Sequence, residues 1–100
     1  MHKLIALYSQ PDDTASFDAH YAQVHRPLVE RIPGLARIVV NRGVDAPWGA
    51  APPYYQIVEM HFPDEPTFKA AMASPENAAA GKDLRKFAAN IVTLMVAHEI

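Results

Sequence analysis

Residues 17–28 read FDAHYAQVHRPL, and residues 29–35 complete the segment with VERIPGL. Phe17, Tyr21, Val24, Leu28 and Ile32 recur at steps of three and four, the stripe an amphipathic helix lays against a sheet. The spacing predicts a helix from Thr14 to about Ile32. Asp12, Asp13 or Thr14 can accept hydrogen bonds from its first free N–H groups. Pro33-Gly34 ends it. Pro27 falls inside the stripe. It lacks an N–H and its ring crowds the preceding turn, so it should kink the helix or rearrange its hydrogen bonds.

On either side of this helix the period falls to that of strands. Lys3 to Tyr8 (KLIALY) is a short apolar run closed by Ser9-Gln10-Pro11-Asp12-Asp13, and reads as a strand. Leu35 to Arg42 (LARIVVNR) is β-branched and reads as a second. Gly43 to Pro53 is a Gly-, Pro- and Ala-rich loop whose one large side chain is Trp48, and it is long for a hairpin. Tyr54 to Phe62 (YYQIVEMHF) is a third strand. Asp64-Glu65-Pro66 opens a short helix with Phe68, Ala71 and Met72 on its apolar side. Ser74-Pro75 starts another, with Ser74 as its cap and Ala79, Leu84 and Phe87 or Ala88 facing inward. Asn90 falls near its end, and Ile91 to Ile100 (IVTLMVAHEI) is a fourth strand. The order β, α, β, β, α, β is that of a split βαβ unit. It predicts an α+β fold: one ferredoxin-like βαββαβ protomer over residues 1–100 with a four-stranded antiparallel sheet.

The totals narrow the function. One hundred residues make one domain. The absence of cysteine excludes disulfides, thiolate metal ligands and thiol nucleophiles. A net charge of -2 argues against a nucleic-acid or anionic-membrane footprint. No signal peptide or membrane-spanning run is visible, so the expected compartment is cytoplasmic. The four glycines are scattered, and neither a phosphate loop nor a Gly-x-Ser-x-Gly elbow is present.

The strand patterns predict a homodimer. Leu4, Ala6 and Tyr8 alternate with Ile5 and Leu7; Thr93, Met95 and Ala97 alternate with Val92, Leu94 and Val96. Both sheet faces are therefore apolar, and one protomer's helices cover only one. A second copy packed sheet to sheet would remove the other from water, at about 25 cal/mol per Å², giving a dimeric α+β barrel. A merely tolerated mixed face is the alternative.

Titratable groups suggest where chemistry would sit. At 100° per residue the helical stripe centres near Val24 and Leu28, with His25 on one shoulder, His20 on the other and Tyr21 on the buried side. An imidazole there can exchange protons near neutral pH, although a boundary histidine is also a common structural residue. On the third strand Tyr55, Ile57, Glu59 and His61 share one face and Tyr54, Gln56, Val58, Met60 and Phe62 the other. Glu59 and His61 can line a pocket, or form a polar patch at a strand end or dimer contact. His20 and His25 are five apart, so an α-helix does not stack them. A zinc site from His20, His25, His61 and Glu59 has no support from spacing.

Together these motifs carry a family resemblance. Phe17-x-x-His20-Tyr21-x-x-Val24-His25-x-Pro27-Leu28, then Pro33-Gly34-Leu35, resembles the EthD family, named from ethyl tert-butyl ether degradation. Tyr54-Tyr55-x-Ile57-x-Glu59-x-x-Phe62, Ser74-Pro75 and Asp83-x-x-x-Phe87 agree, so the likeness covers nearly the whole chain. It implies a ferredoxin-like protomer in a dimeric α+β barrel. Relatives of this fold perform cofactor-free chemistry on small organic molecules, while the founding member is described as a helper of an ether-degrading oxygenase system. A methylmuconolactone methylisomerase is similar in the helix, and its histidine matches His25. That isomerase also relies on a third-strand cysteine, matched here by Met60, so its activity does not carry over.

Two function classes follow. In the first, a cofactor-independent enzyme uses His25 and Tyr21 on a small cyclic or aromatic substrate. His20, Tyr55, Glu59, Met60, His61 and Phe87 contribute to binding, and the Trp48 loop is a lid. In the second, a non-catalytic module binds an apolar small molecule for a partner enzyme. Related barrels also bind haem, but nothing in the spacing asks for it, and no cofactor or metal is expected.

Overall fold

A computed structural model describes residues 1–100. Four strands, β1 (His2–Tyr8), β2 (Arg37–Arg42), β3 (Gln56–Phe62) and β4 (Val92–His98), form one antiparallel sheet in the order β2-β3-β1-β4. Helical segments α1 (Thr14–His20), α2 (Arg26–Val29), α3 (Glu65–Met72) and α4 (Pro75–Ala88) lie on one face. Two layers make a slab with extents of 41 × 32 × 18 Å. This is the ferredoxin-like α+β arrangement that the element order predicts.

The local signals act where the sequence places them. Asp13 caps α1 through Ser16, Asp64 caps α3 through Thr67, and Ser74 caps α4 through Asn77. Gly34 takes φ +79°, and a side chain there would run into Thr67, so this turn admits only glycine without strain. Strand ends move inward: β2 begins at Arg37 and β3 at Gln56 rather than at Leu35 and Tyr54. Leu35 and Tyr55 still pack on the core from outside the ladder.

The first helical run is where phase matters most. Between α1 and α2, Tyr21–His25 form a π-helical turn, and the Arg26 N–H reaches back five residues to the Tyr21 carbonyl. Pro27 explains it. In a regular α-helix its ring would press on the carbonyl four residues earlier, and the wider turn gives way. The extra residue shifts the helix phase. The buried line becomes Phe17, Tyr21, His25, Val29 and Ile32, while Val24 turns outward at 42% exposure. The predicted stripe through Val24 is thus corrected, and the helix ends at Val29 rather than Ile32.

The core lies between the helices and β1 and β3. Ala6, Tyr8, Val58, Met60 and Phe62 point into it and are buried. β4 is covered poorly: Leu94 and Val96 share the helix-side face but stay about half exposed. On the opposite face Ile5, Leu7, Val39 and Ile57 are only partly covered and Met95 is exposed.

Candidate functional site

The π turn places His20 and His25, five residues apart, on one side of the helix. Both rings reach a single carboxylate, Asp83 of α4. His20 Nε2 lies 2.9 and 3.0 Å from its two oxygens, and His25 Nδ1 lies 3.0 Å from Oδ2. The expectation that a five-residue spacing keeps the two histidines apart holds for an α-helix and fails for this turn. Phe87, one turn after Asp83, supports both rings: its centroid is 4.5 Å from His20 and 5.0 Å from His25. The cluster is graded in exposure. The His20 side chain is 33% exposed, Asp83 10% and His25 7%.

Ring chemistry follows from these bonds. A carboxylate accepts, so His25 donates through Nδ1–H, and its neutral form carries the lone pair on Nε2. Nε2 makes no bond within the chain. Burial is the largest influence on His25 and pulls its pKa below the ordinary histidine value. The bond to Asp83 and its charge pull the other way, and His20 adds to the lowering. His25 is therefore a neutral base at pH 7.

His25 forms part of the wall of a cavity of about 260 Å³ between α2, α4 and the sheet. Most of the lining is apolar, including Leu4, Val29, Ile32, Val58, Met60 and Leu84. Besides His25, polar groups come from Tyr8, Tyr21, Asn77 and Arg85. Burial pushes the Tyr21 hydroxyl up to about 12 and raises Tyr8 as well, so both remain protonated donors. A larger, more open groove of about 530 Å³ lies beyond His20, between the turn at Pro11–Asp13 and the end of α4, and His25 does not reach it.

The cavity gathers only part of the predicted set. His25, Tyr21 and Met60 line it, and His20 and Phe87 stand directly behind His25. Trp48 does not come near: it is 99% exposed in a turn at Pro47–Gly49, with φ 65°. Glu59 and His61 lie on the sheet face opposite the helices, where Glu59 accepts from Lys3 at 3.3 Å and pairs with His61 at 3.1 Å. The sheet thus separates them from His25, and no group of three or more His, Asp or Glu is arranged to hold a metal. Tyr55 does not share their face. Its hydroxyl donates to Asp18 and accepts from Arg42, whose guanidinium lies over its ring. Asp83 and Tyr8 are functional candidates that the residue-by-residue reading passed over.

The pKa of His25 has a consequence for stability. Its folded value lies below its unfolded value, so as pH falls below about 6.5 the unfolded chain takes up a proton that folded His25 refuses. This contribution is fully present above the unfolded pKa and is lost as pH falls toward the folded one. Urea denaturation of the wild type and of His25→Gln at several pH values from 7.5 to 5 should show a shallower acid-side decline in the variant. Identical slopes would contradict the assignment.

Geometry thus defines a class: a two-layer ferredoxin-like α+β domain with a buried, carboxylate-paired histidine on the wall of an apolar cavity. The family model described as the EthD domain matches residues 10–90. The chain belongs to the EthD family. It is similar to an 11.0 kDa uncharacterised protein from the thcB-thcC intergenic region of Rhodococcus erythropolis, 33% identical over 99% of this chain and 95% of the relative. It also resembles the crystal structure of an EthD family protein from Bacillus halodurans, 44% identical, with a TM-score of 0.94 over 100% of this chain and 99% of that one. SnoaB of Streptomyces nogalater, described as a cofactor-independent oxygenase, shares the fold at 16% identity and a TM-score of 0.70, over 98% and 91% of the two chains.

Proposed function

We propose that the protein is a cofactor-independent enzyme in which His25 removes a proton from a small cyclic or aromatic molecule held in the cavity. The observation that carries this reading is the buried His25, fixed through Nδ1 by Asp83 with Nε2 unbonded and the ring on the cavity wall. Asp83 sets the tautomer and stabilises the imidazolium formed during reaction, as a carboxylate does behind other catalytic histidines. Tyr8 and Tyr21 supply neutral donors for a developing oxyanion. The family membership and a fold shared with a protein described as a cofactor-independent oxygenase support the class of activity.

In this reading the working unit is a homodimer. The partly bare sheet face, with Ile5, Leu7, Val39, Ile57 and Met95, meets its counterpart, and the Lys3–Glu59–His61 group lies in that interface. Solved proteins of this fold described as dimeric support it. The competing reading, a carrier without turnover, draws on the mainly apolar lining.

Hydrogen–deuterium exchange separates the two. Cyclic ketones and phenols are incubated with the protein in D2O and followed by NMR. The wild type should catalyse exchange at an acidic C–H, and His25→Ala should lose about 10²–10⁴ of that rate with fold and dimer intact. Equal rates in the two proteins would rule out the assignment.

A further inference from the structure

We propose that the cavity is built for an anion: a ring-sized organic acid whose carboxylate pairs with Arg85 at the mouth. This rests on reading the cavity as the ligand site and adds the ligand's charge. Along α4, Asn77, Gly81 and Arg85 fall one turn apart and all line the cavity. Gly81 has no side chain, and Arg85 Nη1 stands 3.6 Å from where its Cβ would be. The guanidinium thus folds back over the bare turn, toward the cavity.

Charge bookkeeping of the wall points the same way. No Asp or Glu lines the cavity, and Arg85 is its one formal charge beside the neutral His25. Arg85 has no carboxylate within 4.0 Å, as is also true of Arg31, Arg37, Lys82 and Lys86, and of these five it alone lines the cavity. The one buried carboxylate nearby, Asp83, is taken up by two imidazoles. Guanidinium binds carboxylate through two parallel hydrogen bonds, which would orient the acid as well as hold it. The cavity's 260 Å³ is roughly the share of nine waters at about 30 Å³ each, enough for one ring and a carboxylate. Leu4, Val29, Val58 and Leu84 would contact the ring, and His25 would face the carbon skeleton rather than the acid group.

The test uses benzoate against benzyl alcohol, matched in shape and different in charge, by calorimetry and by NMR shifts of the His25 and Tyr21 rings at pH 7. Benzoate should bind at least tenfold tighter and shift both rings. Arg85→Gln should abolish that preference and Arg85→Lys should retain part of it. Arg85 also borders the neighbouring groove, so Lys86→Gln, which alters that groove alone, should leave the preference unchanged. Equal binding of the two probes, a preference that survives in Arg85→Gln, or shifts confined to the groove near Ile91 would overturn the proposal. So would a failure of benzoate, cyclohexanecarboxylate and 2-naphthoate all to bind at millimolar concentration. His25→Ala should still prefer benzoate while losing exchange activity. Loss of exchange with no acid preference defeats only this inference, and Arg85-dependent binding without exchange defeats only the catalytic reading.

Discussion

Asp83→Asn is expected to reduce the proposed exchange activity by about 10²–10⁴ while the chain still folds. Asp83 accepts from two imidazoles at once, 2.9 Å from His20 and 3.0 Å from His25. An amide of the same size can accept through only one atom and must donate through the other. Turning its NH₂ toward His25 makes Nδ1 the acceptor and moves the proton to Nε2, which removes the base from the cavity. Turning it the other way leaves the tautomer but removes the negative charge that would stabilise the imidazolium. A triad carboxylate behind a catalytic histidine is worth about 10⁴ in rate when similarly replaced, and the more exposed Asp83–His20 pair justifies the lower end of the range. A buried group left with an imperfect partner costs about 1–3 kcal/mol, so urea denaturation must accompany the rate. A variant with full activity would show that Asp83 only packs.

Phe62→Ala is expected to cost about 3–5 kcal/mol, the usual loss for a fully buried phenylalanine. Phe62 is 0% exposed and meets Phe68 edge-on at 5.4 Å, tying β3 to α3. Domains of this kind are stable by only about 5–15 kcal/mol, so the loss consumes a large share. Phe62 lies outside the cavity lining, so the population that remains folded should keep its chemistry. Urea denaturation should show a lower midpoint with little change in slope. A change below about 1 kcal/mol would mean that the site collapses without loss.

The fold was readable because its signals are local. Asp13, Asp64 and Ser74 cap where the residue types say they should, Gly34 turns where a positive φ is needed, and strand alternation separates the two sheet faces. The site was readable in its residues and not in its phase. Pro27 announced a disturbance, yet whether the helix would kink or widen depends on packing that one strand of residues does not display. The π turn moved His25 inward and brought His20 beside it. Asp83 left a fainter mark: a carboxylate on the apolar stripe of α4, three residues after Ala80, and one member of the motif shared with the family. Glu59 and His61 looked equivalent to cavity residues because a strand pattern says which groups share a face, not which face the helices cover, and the Trp48 loop carries no period that says where it folds.

The central claim is that His25 is a neutral base whose Nδ1–H is held by Asp83 and whose Nε2 opens to the cavity. Nitrogen-15 NMR of the imidazole rings across pH tests it directly. The account predicts the Nδ1–H tautomer for His25 and a pKa below 6.5, with the tautomer disturbed in Asp83→Asn. An Nε2–H tautomer in the wild type, or a pKa above 6.5, would contradict it.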